Sequence, residues 1–319
     1  MKTWNIIGSR RYGYLLSLLI LVPGVIALLV WGINFGIDFT GGTLLDVRLG
    51  RDASIEEVRA VLATFQQADA VIQKSPDRPR QVLIRTEHLD EAQTAKVMTA
   101  LRDRFGGVEL LLAERVGPKI GRELRNQAIL AVAGGLLLQV LYISWRFRSL
   151  RFALTADVAL LHDLVVVTGL YALTRRQVDS SFVAVLLTVV GYSINDTVVV
   201  FDRIREITGQ RIRATYPDLV NRSILEVLTR SLTTGSGAIM AITAIYFLGG
   251  VTIRNFAFGL AAGVITGTYS SIFVASALLV DWHLLSARRA RRAGPVKAEE
   301  TPAPQAVVGG RSGRRRNRR

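Results

Sequence analysis

The sequence predicts an α-helical multi-pass membrane protein with six transmembrane helices and one small α+β domain outside the bilayer. Three observations predict it. Half of the 319 residues are hydrophobic and the mean hydropathy is +0.33, high for a water-soluble chain of this length. Six mostly apolar stretches each approach the roughly 20 residues that a bilayer crossing needs. The basic excess, 40 Lys and Arg against 25 Asp and Glu, gathers in short loops and a tail rather than across a surface. Cys is absent and there are only three His (His88, His162 and His283). That removes disulfides, thiol nucleophiles and thiolate-bound metals and argues against a multi-His metal centre; no metal or cofactor is expected.

Residues 1–11 are a basic N-terminal segment carrying Lys2, Arg10 and Arg11. The first span covers 12–33. Its apolar run is longer than a signal-peptide core and no A-x-A cleavage site follows, so it reads as an uncleaved anchor. Pro23 is expected to kink it. The other spans fall at Gln127–Trp145, Phe152–Leu173, Phe182–Phe201, Ser231–Gly250 and Phe256–Val280. Residues 127–285 are thus a five-helix membrane domain with a cytoplasmic loop at 203–229. Arg146, Arg148 and Arg151 lie between spans two and three, and Arg203, Arg205, Arg211, Arg213 and Arg222 between spans four and five. Arg288, Arg289, Arg291 and Arg292 follow span six. The positive-inside rule places these loops and both termini in the cytoplasm of a cell that carries the chain in its plasma membrane. Trp4, Trp31, Trp145 and Trp282 fall at or near span ends, as an aromatic belt requires. Residues 286–319 read as a disordered basic tail. It faces anionic lipid or touches ribosomal RNA or an acidic partner.

Residues 34–126 form the extracytoplasmic domain. Between 38 and 125, fourteen Lys and Arg balance fourteen Asp and Glu. The net +15 therefore belongs to the rest of the chain and reports topology rather than nucleic-acid binding. Thr43–Arg48 alternates like a strand. Ser54–Phe65 has helical spacing, with Ser54 and Glu57 as a capping box. Ala70–Lys74 and Gln81–Arg85 read as strands around the turn-rich stretch 75–80. Asp90–Phe105 is a second helix, stopped by Gly106–Gly107, and Val108–Arg115 is a last strand. The order β-α-β-β-α-β is that of a ferredoxin-like split βαβ unit. Gly117–Gly121 reads as a turn before span two, and no Walker P-loop occurs.

Ionisable side chains at bilayer depth are costly and mark a pathway or a partner. Span three carries Asp157, His162 and Asp163; span four carries Asn195 and Asp196; Arg230 opens span five. Asp157 reads as solvated near the inner surface, and His162–Asp163 as a helix contact ahead of a proton site. Asp196 lies six residues before Asp202, roughly 9 Å deep at 1.5 Å per residue, and Arg230 lies at a similar depth. The two can meet as an ion pair. A carboxylate that moves towards and away from a fixed guanidinium binds and releases a proton, so the pair either couples proton flow to shape or holds two helices together. Gly259, Gly263, Gly267, Ser271 and Ala275 recur every four residues in span six. Such a stripe permits close helix approach. Ser231 and Gly235 hint at the same in span five.

Asn34–Thr43 (NFGIDFTGGT), with Gly36, Asp38, Gly41 and Gly42, resembles the motif that follows the first span in the bacterial SecD/SecF family. Val116–Arg125 (VGPKIGRELR), His162–Asp163, Gly191–Glu206 (GYSINDTVVVFDRIRE), Arg230–Thr234 (RSLTT) and Gly259–Ser271 resemble the SecF half of it. The likeness runs over roughly residues 5–285. It implies an auxiliary, non-enzymatic subunit of the Sec protein-export machinery, within the resistance-nodulation-division superfamily. It implies pairing with SecD, association with the SecYEG channel, YajC and YidC, and use of the proton-motive force to draw unfolded preproteins outward; with six spans here, SecD is expected as a separate chain. The family's proton-linked Asp and Arg fall on Asp196 and Arg230. The competing readings are a small-molecule or lipid exporter of the same superfamily and a passive scaffold of the translocon.

Overall fold

The computed structural model of the chain describes residues 4–75, 78–210 and 212–292. Helix α1 (Arg10–Trp31) leads through a one-turn helix α2 (Ile37–Thr40) into β1 (Gly42–Leu49), α3 (Ile55–Ala63), β2 (Val71–Ser75), β3 (Arg78–Thr86), α4 (Glu91–Phe105) and β4 (Val108–Val116). The membrane helices α5 (Pro118–Phe147), α6 (Leu150–Leu173), α7 (Ser180–Gly209) and α8 (Tyr216–Leu248) follow. The last span is continuous but mixed: α9 (Val251–Ser270), a π-helical turn (Ser271–Ala275) and α10 (Ser276–Arg292). Among the described residues, six helices are long and apolar enough to cross a membrane.

The outer domain forms as its pattern dictates. Its sheet is antiparallel in the order β2-β3-β1-β4, with Leu45 opposite Ile84 and Val47 opposite Val82. Leu45, Val47 and Leu49 alternate and so share one face. That face is covered by Val58 and Leu62 of α3 and by Val97, Leu101 and Phe105 of α4, spaced one helical turn apart. Both helices start in full capping boxes, Ser54 with Glu57 and Asp90 with Gln93. Gly106, with φ +71°, ends α4 in the left-handed conformation that glycine adopts most cheaply.

Three expectations need correction. The loop at 203–229 is largely helix: α7 runs to Gly209 and α8 begins at Tyr216. Thr215 caps α8, and Arg222 pairs with Glu226 one turn on. Arg203 of α7 also reaches Glu226, so the extensions brace each other outside the apolar layer. Gly117–Gly121 is not a turn. Gly117 is the N-cap and Pro118 the first residue of α5, where its missing N–H costs nothing. The basic tail does not begin at 286, because α10 continues through Arg292. Ala and Arg favour helix there, and cations near a helix C-terminus complement its dipole. The rest of the tail lies outside the described residues.

Small residues set the helix contacts. The glycine stripe of α9 faces α7: a Cβ on Gly259, Gly263 or Gly267 would lie 2.9, 2.0 and 3.0 Å from Val185, Val189 and Ser193 respectively. Those α7 residues are themselves four apart, so two matching stripes interlock. Gly24 of α1 meets Gly169 of α6 just as closely, with a Cβ on Gly169 falling 2.8 Å from the Gly24 Cα.

Candidate functional site

Two polar clusters lie in the membrane domain, and their geometry differs. The Asp163 carboxylate is fully buried. One oxygen lies 3.0 Å from His162 Nδ1, and the other accepts from Ser193 Oγ at 2.6 Å and Ser270 Oγ at 2.7 Å. These are short bonds that tie α6 to both α7 and α9.

Asp196 is also buried, but its partners are distant. Ser231 Oγ of α8 donates at 3.5 Å and Thr268 Oγ1 of α9 at 3.2 Å, near the outer limit for an O–H···O bond. Among the described residues Asp196 forms no ion pair with Arg230. The Arg230 side chain is exposed, one residue before Ser231. The expected contact is absent because adjacent helix positions point about 100° apart, and the position facing Asp196 belongs to Ser231. Asn195, beside Asp196, is likewise exposed and does not join the cluster. Asp157 is half-buried.

The spacing on α7 explains which side chains meet. Ser193, Asp196, Thr197 and Val200 fall at i, i+3, i+4 and i+7, share one face of α7 and are all buried. Thr197 Oγ1 shares a 2.8 Å bond with Ser271 Oγ, the first residue of the π-helical turn. Ser271 also donates to the Gly267 carbonyl, and Ser276 donates to the Ser271 carbonyl. Hydroxyls thus occupy carbonyls around the turn that breaks the α-helical ladder. Sequence reasoning missed Ser193, Thr268 and Ser270 as ligands of the two carboxylates. Ser193 carried a signal, one turn before Asp196. Thr268 and Ser270 did not, since nothing local shows which neighbour they face.

The motif after the first span forms a joint between the outer and membrane domains. The Asp38 carboxylate accepts from the Ser180 backbone N–H at 2.8 Å and from its hydroxyl, at the first turn of α7. The Gly36 N–H donates to the Val178 carbonyl, and the Val178 N–H to Asn34. Arg85 of β3 reaches back to the Phe35 carbonyl at 2.9 Å and to Asn34 Oδ1 at 3.2 Å. Gly41 (φ +77°) and Gly42 (φ +133°) are required here. A Cβ on Gly41 would lie 2.9 Å from the Pro118 Cα, and one on Gly42 2.5 Å from the Thr86 carbonyl oxygen. The double glycine therefore lets the outer sheet and the start of α5 close on one another.

Below the sheet, a cavity of about 830 Å³ opens between the outer domain and the α6–α7 connection. Its wall carries Asp38, Glu114 and Asp179. Partial burial, and then the charges of Asp38 and Asp179, push the Glu114 carboxyl above its ordinary value.

Comparison with known proteins places this architecture. Residues 96–285 match the family described as protein export membrane protein SecD/SecF, C-terminal, and residues 26–53 match the SecD/SecF GG motif. The protein translocase subunit SecF of Thermobaculum terrenum is 40% identical, over 87% of this chain and 93% of its own. That of Pseudomonas aeruginosa is 37% identical, over 89% and 93%. The crystal structure of SecDF from Thermus thermophilus, a translocon-associated membrane protein, superposes with a TM-score of 0.82 at 36% identity. The match covers 88% of this chain and 39% of that longer one. Matched over nearly the full length of SecF relatives, and over a part of a fused SecDF, the chain belongs to the SecD/SecF family of protein-export membrane proteins, in its SecF branch.

Proposed function

We propose that this chain couples proton movement to preprotein export as the SecF half of a unit completed by SecD. The carrying observation is the contrast between two buried carboxylates. Asp163 is locked by three close partners, whereas Asp196 is held loosely by two hydroxyls from two other helices. A carboxylate in a loose hydroxyl cage changes protonation state at low structural cost. As an ion it only accepts; as an acid it must also donate, so Ser231 or Thr268 has to turn. That rearrangement sits between α7, α8 and α9. Arg230, one position from Ser231, reaches the carboxylate if α8 rotates, which makes it the counter-ion of the proton-free state. The first turn of α7 is bonded to Asp38, so a shift of α7 moves the outer domain, which grips the emerging unfolded chain.

The unit works beside the SecYEG channel, with YajC and YidC as further partners. Both termini face the cytoplasm of the plasma membrane, and protons are the only coupling ion. The test is proton-motive-force-dependent export in membrane vesicles containing the chain with its SecD partner. Asp196→Asn is expected to abolish the stimulation while the protein inserts at wild-type levels. Undiminished stimulation in that variant would instead support a passive scaffold. Arg230→Lys should impair export too, because an ammonium cannot replace the guanidinium fork.

A further inference from the structure

At the end of the membrane domain opposite the outer domain, α1 and α10 enclose a cavity of about 420 Å³. Its charges are unequally used. Both oxygens of Asp281 are occupied, one by Arg10 Nε at 2.8 Å and the other by the Tyr14 hydroxyl at 2.9 Å. Asp281 and Arg10 thus neutralise each other. Arg11 and Arg288 also line the cavity, and among the described residues neither makes an ion pair or a hydrogen bond. The cavity therefore carries two uncompensated guanidinium groups.

Its setting is a bilayer surface. Arg10 and Arg11 open the apolar run of α1, and Arg288 lies near the end of the last spanning helix. Leu284 and Leu285 form part of the wall. Leu15 and Leu18, one and two turns into α1, are 63% and 55% exposed, so an apolar track leads from the cavity towards the membrane interior. Tyr12 and Trp282, next in sequence to Arg11 and Asp281, are exposed, as aromatic side chains at headgroup depth are.

We infer that this cavity is a binding site for the phosphodiester headgroup of an anionic phospholipid, with Arg11 and Arg288 clamping the phosphate and an acyl chain lying along Leu15 and Leu18. A guanidinium binds a phosphate through two parallel N–H···O bonds, and basic hollows between membrane helices suit anionic headgroups. Tyr14 and the Arg10–Asp281 pair hold the two helices at the right separation. The site needs no residue of the proton-linked cluster.

The test is native mass spectrometry of the full-length chain in detergent micelles. Palmitoyl-oleoyl phosphatidylglycerol is titrated against the matching phosphatidylethanolamine, and sn-glycerol 3-phosphate is added as a soluble competitor. One phosphatidylglycerol per chain should be retained in preference to phosphatidylethanolamine, without displacement by glycerol phosphate. The double variant Arg11→Gln, Arg288→Gln should weaken retention by about tenfold or more. Arg289→Gln, next in sequence but outside the cavity, should leave it unchanged. The lipid-free variants should unfold at the wild-type temperature. Equal loss in Arg289→Gln would make the effect diffuse surface charge and overturn the site. Unaltered retention in the double variant would overturn it too. Displacement by glycerol phosphate would overturn the lipid assignment in favour of a soluble phosphoester.

Discussion

Asp38 and Ser180 join the outer domain to the helix of Asp196: one carboxylate accepts both the backbone N–H and the hydroxyl of Ser180, across 142 positions of sequence. Ser180 opens α7, and its N–H is one of those that no intrahelical carbonyl can satisfy. Asp179, the N-cap, takes the Phe182 N–H, so two carboxylates from different segments share the exposed end of one helix. Their negative charge suits its dipole.

Asp38→Ala should therefore do two things. Loss of a cap-like acceptor should lower stability by about 1 kcal/mol, read as a lower unfolding midpoint in detergent. It should also reduce proton-driven export towards the level of Asp196→Asn, although Asp38 is remote from the intramembrane carboxylates. Full export in a destabilised Asp38→Ala chain would sever the proposed link between outer domain and α7.

The two buried carboxylates should respond oppositely to substitution. Asp163→Ala strands the Ser193 hydroxyl and the ring nitrogen of His162 and leaves Ser270 only its longer bond to the Gly267 carbonyl. Unsatisfied buried donors are expensive, so a loss on the order of 3 kcal/mol is expected. Asp196→Asn keeps shape and hydrogen-bonding capacity at loosely held positions, and its unfolding midpoint should stay near that of the wild type. Thermal unfolding of the two variants side by side checks this.

Gly263→Ala would bring a Cβ to 2.0 Å from Val189 Cγ2. Overpacking of this kind costs about 1–3 kcal/mol. The pair should be epistatic: Val189→Ala, added to Gly263→Ala, should recover much of the loss. A double-variant cycle that shows simple additivity would mean that α7 and α9 do not meet at this point.

Glu114 sets a pH dependence in the outer cavity. Its folded carboxyl lies above the ordinary value, first through burial and then through Asp38 and Asp179. Folding therefore favours the protonated form. The cost of ionisation is absent below the ordinary carboxylate range and appears as pH rises through the folded value. Glu114→Gln should accordingly raise the unfolding midpoint at pH 7 and change little at acidic pH, where the wild-type group is already neutral. Melting curves across pH test the sign.

The capping box at Ser54 acts in the opposite direction at another place. Arg51 and the Ser54 N–H hold Glu57 down to about 2. Its contribution is fully present above the ordinary Glu value and fades as pH falls towards the folded value. The start of α3 should thus loosen only in strong acid, visible as faster amide exchange there.

By itself the sequence determined the six spans, the order of strands and helices in the outer domain, and the cap at Ser54. These follow from local quantities: the length of an apolar run, a period of two or of 3.6, and a Ser three residues before a Glu. Helix ends were less legible outside the apolar layer. The extensions of α7 and α8 rest on Arg203, Arg222 and Glu226 meeting across two helices, and a charged run looks the same in a loop. Tertiary structure alone decided what the polar positions face. A helix in lipid has no wet side, so hydrophobic periodicity does not reveal its rotation about its own axis. That is why the glycine stripe of α9 was visible but its partner α7 was not. It is also why only folding shows three close partners around Asp163 and two distant hydroxyls around Asp196.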